Sequence, residues 1–164
     1  RISEQDPLTG LANRAGFDRN IKHAIASGQG ANLALLYIDL DYFKPVNDQY
    51  GHAAGDQVLQ LFAKRLLNIV RPSDVVARLG GDEFAIVLAR LNERMDAQTI
   101  AEKVLAAAHE PFHVEDRLIT IGASIGVAYG VDPDAGHQDL VARADAKLFK
   151  AKKAGRGRQM GVDS

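Results

Sequence analysis

Apolar positions recur at helical spacing first at Phe17, Ile21, Ala24 and Ile25. They predict a helix from about residue 13 that Gly28 and Gly30 end. Residues 33–40 then form an almost unbroken apolar run closing on Asp39-Leu40-Asp41, the pattern of a buried central strand. A short segment through Tyr42-Phe43-Lys44 follows and is expected to break at Pro45. Val58, Leu61, Phe62, Leu66 and Ile69 mark an amphipathic helix stopped by Arg71-Pro72. Residues 75–79 and 84–88 read as two apolar strands joined through Gly80-Gly81-Asp82, a hairpin. An alanine-rich helix is expected over 96–109, one long strand over 118–129, and a last helix from about 138 to Gly155. A short edge strand is expected near Gln159-Met160. The hairpin argues against a purely parallel sheet, so the expected fold is mixed α/β (α+β): a central, largely antiparallel sheet surrounded by helices.

With 164 residues the chain is long enough for one domain with a sizeable core. A formal net charge of −1 gives no reason to expect a nucleic acid as partner. The charge is uneven, however. Lys147, Lys150, Lys152, Lys153 and Arg156 crowd the last helix with only Asp145 against them, a patch that can hold a phosphate chain. With no cysteine there is neither a disulfide framework nor a thiolate metal site, which fits a cytoplasmic location. The abrupt start at Arg1-Ile2-Ser3-Glu4-Gln5 reads as the end of an upstream linker. Residues 6–160 are expected to form the domain and 161–164 a tail.

The candidate chemistry lies in the acids at strand tips. Asp39 ends the first strand and Asp82-Glu83 sit where the hairpin turns. If the hairpin pairs beside the first strand, these carboxylates converge at one sheet edge. Hard oxygen donors of this kind suit Mg²⁺ or Mn²⁺, which prefers one or two protein carboxylates together with substrate phosphates. Two such ions can activate an attacking oxygen and neutralise a leaving pyrophosphate. Adjacent residues of a strand face opposite ways, so Glu83 is the expected partner of Asp39 at the metal, with the Leu40 carbonyl as a neutral ligand. Asp82 either assists deprotonation of the attacking hydroxyl or holds a second ion. Gly80 and Gly81 let a sugar and phosphates approach the backbone. Taken singly, each piece has a plainer reading as an ordinary turn or strand end. Their combination carries the chemistry.

Arg78-Leu79-Gly80-Gly81-Asp82-Glu83-Phe84 matches the motif that names the GGDEF family of diguanylate cyclases. The likeness continues through Asp6-Pro7-Leu8-Thr9-Gly10-Leu11-Ala12-Asn13-Arg14 and Asp39-Leu40-Asp41-Tyr42-Phe43-Lys44-Pro45-Val46-Asn47-Asp48. Tyr50-Gly51-His52-Ala53-Ala54-Gly55-Asp56 and residues 144–156 complete it. The chain therefore resembles that family over nearly its whole length. The resemblance implies a fold similar to class III nucleotide cyclases and polymerase palms. It implies a reaction joining two GTP into cyclic di-GMP with release of two pyrophosphates. Each domain would hold one GTP and two Mg²⁺ or Mn²⁺ ions, so that catalysis needs a second such domain, a homodimer, face to face.

The resemblance also assigns residues. Asn47 and Asp56 align with the guanine readers, where a carboxylate accepts from N1–H and the 2-amino group. Lys152 and Arg156 resemble the triphosphate clamp, and the backbone of Tyr42-Phe43-Lys44 can cradle phosphate with Lys44 adding charge. Gly155 leaves open whether Arg156 extends the helix or returns from the following loop. Lys147 stands where the family usually has alanine, and Gly157 where it has asparagine. Arg71-Pro72-Ser73-Asp74 has the spacing of the family's inhibitory site, the expected second site for cyclic di-GMP. An upstream sensory or regulatory domain is the expected source of control. The alternative is a non-catalytic module that binds GTP or cyclic di-GMP and regulates an attached domain.

Overall fold

In a computed structural model, residues 3–28, 32–130 and 136–161 are described. Residues 1–2 of the expected linker, the helix-stopping Gly30 and residues 162–164 of the expected tail lie outside them.

The first helix, α1 (Arg14–Ala26), starts where the Asn13 side chain accepts from the Gly16 N–H at 3.0 Å. The apolar run becomes β1 (Ala34–Asp41). Next come α2 (Phe43–Tyr50) and α3 (His52–Ile69), with Gly51 in the left-handed region between them. Pro45 does not break the chain as the sequence suggested. It is the third residue of α2, where a backbone N–H has no helical acceptor to lose. The hairpin is β2 (Val75–Gly80) and β3 (Glu83–Leu88). Then α4 (Arg94–His109) opens with a reciprocal capping box between Glu93 and Asp96.

The expected strand over 118–129 is two strands. β5 (Arg117–Ile119) turns back on β4 (Phe112–Val114) in a separate hairpin, and β6 (Gly122–Tyr129) enters the main sheet. Leu118, expected to open that one long strand, lies instead in β5 and is exposed. The chain closes with α5 (His137–Lys153) and β7 (Gln159–Met160).

The five-stranded sheet has the order β2-β3-β1-β6-β7. Every pair is antiparallel except β6 and β7, as the hairpin implied. β1 is the middle strand, which accounts for its continuous apolar sequence: it is covered on both faces. Leu36, Ile38, Phe84 and Ile86 point to one side with α3 and α4, where Phe62 meets Phe84 edge-on at 5.0 Å. Leu35, Tyr37, Ala85 and Val87 point to the other, under α1 and α5. α5 comes unusually close. A Cβ on Gly126 of β6 would stand 2.1 Å from the Ala144 carbonyl and 2.3 Å from the Leu148 nitrogen, so only glycine permits this approach. That contact brings the basic end of α5 to the tip of β1.

Candidate active site

The pairing of β1 with β3 decides where the acids go. Asp39 lies directly opposite Glu83 in an antiparallel register. Residues so paired share a face, with Cβ atoms roughly 5 Å apart. Both therefore sit on the α1/α5 side of the sheet, at its edge. The Leu40 N–H donates to the Asp82 carbonyl at 3.2 Å, so Leu40's own carbonyl leaves the strand on that same edge, toward the turn. Gly80 and Gly81 are exposed on the turn, both with positive φ.

Asp39 is largely buried, and its two oxygens differ. Oδ2 is held by the Lys152 ammonium, while Oδ1 is buried with no hydrogen-bond partner among the described residues. A buried polar atom left so is costly and asks for a ligand. The Asp82 carboxyl is pushed up to about 6 by burial, then by the like charge of Asp39 and by the hydrogen bond that only its protonated form can donate to Asp39. Both observations fit a cation arriving at this edge. Among the described residues no three His, Cys, Asp or Glu side chains close a cage of their own. What the edge offers is a carboxylate pair, Asp39 and Glu83, and the Leu40 carbonyl. That set suits a hard divalent ion whose remaining ligands come from phosphates.

The expected phosphate cradle lies beside it. α2 begins at Tyr42, in the left-handed region at φ 64°, with no side chain capping its first N–H groups. Phe43 is buried and anchors this turn, whereas Lys44 is exposed. One face of α2 carries Asn47, whose Oδ1 presses on Gly55 of α3 where a Cβ would stand only 1.8 Å away. Gly55 thus opens a notch for the amide, and the next residue, Asp56, is exposed. Asn47 and Asp56 consequently flank one α2/α3 junction.

Lys152 and Arg156 do not share a helix, because α5 ends at Lys153. Arg156 returns from the following loop at φ 64° and sets Nη1 3.6 Å from Asp41 Oδ1. The two cations still reach the same edge, one through Asp39 and the other through Asp41. Arg71 and Asp74 lie apart. Five residue steps along β3 lead from Glu83 to Leu88, a run of roughly 17 Å, and Arg71 donates to the Ala89 carbonyl just beyond. There Asp74 accepts from the Arg71 N–H at 3.0 Å and the Ala89 N–H at 3.2 Å, and its side chain is 1% exposed. The half-exposed Arg71 guanidinium borders a groove of about 290 Å³ lined also by Leu91, Asp96, Thr99 and Ile100.

Four supporting residues went unassigned in the sequence. Asp6 receives the Thr9 hydroxyl at 2.7 Å and Arg78 at 2.9 Å, while Arg78 Nε donates to the Gly81 carbonyl at 2.9 Å. Burial would raise the Asp6 pKa, but the Thr9 hydrogen bonds and the Arg78 charge hold it below the ordinary value. This brace ties the hairpin turn to the loop before α1. Arg14, at the start of α1, bonds the Tyr37 side chain; that bond and the charges of Asp18 and Glu83 outweigh burial and keep its pKa raised. Asp41 is buried under the Arg156 loop. Asp6, Arg14, Asp41 and Arg78 all lie in the segments that carry the family likeness, so position within those motifs was the available signal.

The family described as "Diguanylate cyclase, GGDEF domain" matches residues 3–158. Diguanylate cyclase TpbB of Pseudomonas aeruginosa is 41% identical over 161 residues, covering 94% of this chain and 36% of that protein. Cyclic di-GMP phosphodiesterase NbdA of the same species is 36% identical over 162 residues, covering 95% of this chain and 20% of that protein. The chain thus spans about a third or less of these relatives. Among solved structures, the GGDEF domain of DgcB from Caulobacter crescentus in complex with c-di-GMP superposes with a TM-score of 0.87 at 31% identity, covering 100% of this chain and 98% of that one. No helix among the described residues is long and apolar enough to cross a membrane. With the family's motif on the β2–β3 turn and its match running through the whole described fold, the chain belongs to the GGDEF-domain diguanylate cyclase family.

Proposed function

We propose that this chain is the catalytic domain of a diguanylate cyclase, condensing two GTP into cyclic di-GMP and two pyrophosphates between two domains set face to face. The observation that carries this reading is the Asp39–Glu83 pairing with a buried, unpartnered oxygen on Asp39. Asn47 and Asp56 read guanine at the α2/α3 notch. The carboxylate takes the N1–H and 2-amino donors, a pair that adenine lacks. The open N-terminus of α2 and Lys44 receive phosphate oxygens, Gly80 and Gly81 leave room for them, and Lys152 and Arg156 neutralise the chain.

Asp39, Glu83 and the Leu40 carbonyl would hold Mg²⁺ or Mn²⁺, with two ions per site. When bound, such ions supply Lewis acidity and charge neutralisation at the reacting phosphate. Asp82, with its carboxyl near 6, is ionised at neutral pH and basic enough to take the proton of the attacking 3′-hydroxyl. Alternatively it helps to hold the second ion. The 3′-oxygen then bonds to the α-phosphorus of the GTP on the facing domain, and pyrophosphate leaves. One chain carries one such site, so two copies are required.

Arg71 and Asp74 form the inhibitory site for cyclic di-GMP in this reading. Asp74 is already engaged with backbone, so Arg71, exposed beside its groove, makes the stronger contact with product. The upstream sensory or regulatory part of the full-length protein supplies control, with this domain in the cytoplasm. A second reading, a non-catalytic receptor for GTP or cyclic di-GMP, draws on the relative named as a phosphodiesterase. The deciding experiment incubates the chain, fused to a dimeric coiled coil, with GTP and Mg²⁺. Cyclic di-GMP and pyrophosphate in a 1:2 ratio support the enzyme; nucleotide binding without either product supports the receptor.

A further inference from the structure

Asp41 is a carboxylate with 1% of its side chain exposed, two residues beyond Asp39 on the same face of β1. A charge so buried must be compensated or it destabilises the fold. Three groups meet it, two by hydrogen bonds and one by charge. The Ser124 hydroxyl, itself fully buried on β6, donates at 2.9 Å to Oδ1. The Gly157 N–H donates at 2.9 Å to Oδ2. The third is the Arg156 guanidinium, with Nη1 at 3.6 Å, the only formal positive charge paired with Asp41 among the described residues.

The loop that supplies Arg156 and Gly157 is strained. Gly155, Arg156 and Gly157 all have positive φ, at 120°, 64° and 60°. Arginine is unfavourable in that region and persists only where the surroundings over-determine it. Here they do. The Arg156 N–H caps the Ala151 carbonyl at 3.0 Å, Gly157 is pinned to Asp41, and the Arg158 carbonyl accepts from the Ile125 N–H at 2.9 Å. Glycine at 157 suits its positive φ, and the asparagine usual in the family is among the residues that best tolerate that region. The loop is thus a strap whose middle link is a carboxylate buried in the sheet.

We propose that Asp41 is a positioning residue, which fixes the strained 155–157 strap and thereby aims Arg156 at the triphosphate. This rests on the reading of Arg156 as a phosphate clamp. One guanidinium nitrogen faces Asp41, and no acceptor among the described residues takes the others, so they stay available to a phosphate on the exposed side. The buried charge cannot follow the loop outward, and it holds the cation at the edge shared with Lys152 and Asp39. Asp41 itself touches no substrate.

The test compares D41N, R156A and the double variant, measuring by calorimetry the affinity for a non-reacting GTP analogue and for GMP. Asparagine keeps the shape and an acceptor but removes the charge. D41N is expected to weaken the triphosphate about tenfold, the scale of one charge-assisted contact, with GMP affected less than about twofold. The double variant should be no weaker than R156A alone, because both changes break one link. Turnover should show a raised KM with kcat little changed. D41N binding the analogue like the wild type beside a weakened R156A overturns the positioning role alone. R156A without effect removes the clamp reading and this proposal with it. If D41N does not fold, S124A carries the test: removing one donor to Asp41 should cost about threefold for the triphosphate and nothing for GMP, and equal affinities for both overturn the proposal.

Discussion

Lys152 rests its ammonium on one carboxylate oxygen of Asp39, while the other oxygen of the same carboxylate is buried without a donor. One group is thereby half neutralised by the protein and half left for a ligand. The Lys152 charge also holds down the neighbouring Asp82, which would otherwise rise further. K152A is expected to weaken GTP binding about tenfold by loss of one charged contact. It should also move the Asp82 titration upward. Calorimetry and carboxyl chemical shifts read the two effects separately.

D39N removes the charge that faces Glu83 across the ladder. Formation of cyclic di-GMP should fall by about a thousandfold or more, the scale of losing a group that stabilises developing charge. Circular dichroism should still show the fold, since asparagine keeps the shape of the side chain. Product formation within tenfold of wild type would remove Asp39 from the site.

The raised Asp82 makes the metal-free chain sensitive to pH. The unfolded carboxyl titrates near 3.8 and the folded one near 6. Well below pH 3.8 both are protonated and the site costs nothing. As pH rises from 3.8 to about 6, the unfolded chain has released its proton while the native chain still holds it, so the native state loses stability, and the full cost stands above 6. In EDTA and without nucleotide, D82N should therefore match wild type at about pH 3 and exceed it at pH 7. The gain should be roughly 1 kcal/mol once solvent screening is allowed for. Chemical unfolding at the two pH values checks the sign.

Asp56 is exposed beside the Asn47 notch, so its loss should spare the fold. D56A should raise the GTP requirement at least tenfold, from about 1–3 kcal/mol of lost base contact, and narrow the preference for GTP over ATP. Unchanged GTP affinity would take Asp56 out of the base pocket.

The distant Arg71–Asp74 pair separates two roles that sequence spacing alone merges. D74A strands the Arg71 and Ala89 N–H groups and should cost about 2 kcal/mol of stability, seen as a drop of several degrees in Tm. R71A takes the guanidinium from the buried Asp74 at 3.3 Å and from the Ala89 carbonyl at 2.6 Å, so it should also lower Tm, while lowering cyclic di-GMP binding at least tenfold. Undiminished binding to R71A would rule out this groove as the product site.

Much of this is legible in the sequence. The unbroken apolar run of β1 announced a strand covered on both faces, and the double glycine announced the turn. With those two elements paired, Asp39 and Glu83 had to meet. What the sequence hid depends on contacts between distant segments. Pro45 looked like a stop because its tolerance depends on its place within a helix turn. Leu118 looked like the start of one long strand, but it belongs to a short strand that pairs with β4 outside the main sheet. Asp41 looked like the second half of a motif; only the fold of residues 155–157 over it reveals a buried charge with work to do. Arg156 could be named but not aimed, since the end of α5 decides its direction.

The contact at Gly126 gives this domain a lever far from its chemistry. A single methyl there has nowhere to go except into the backbone of α5, so an alanine would act as a wedge under the middle of that helix. The displaced end is the one carrying Lys152 and the strap. An inactive variant of this chain can therefore arise with every acid, amide and cation intact, its defect being one of separation alone.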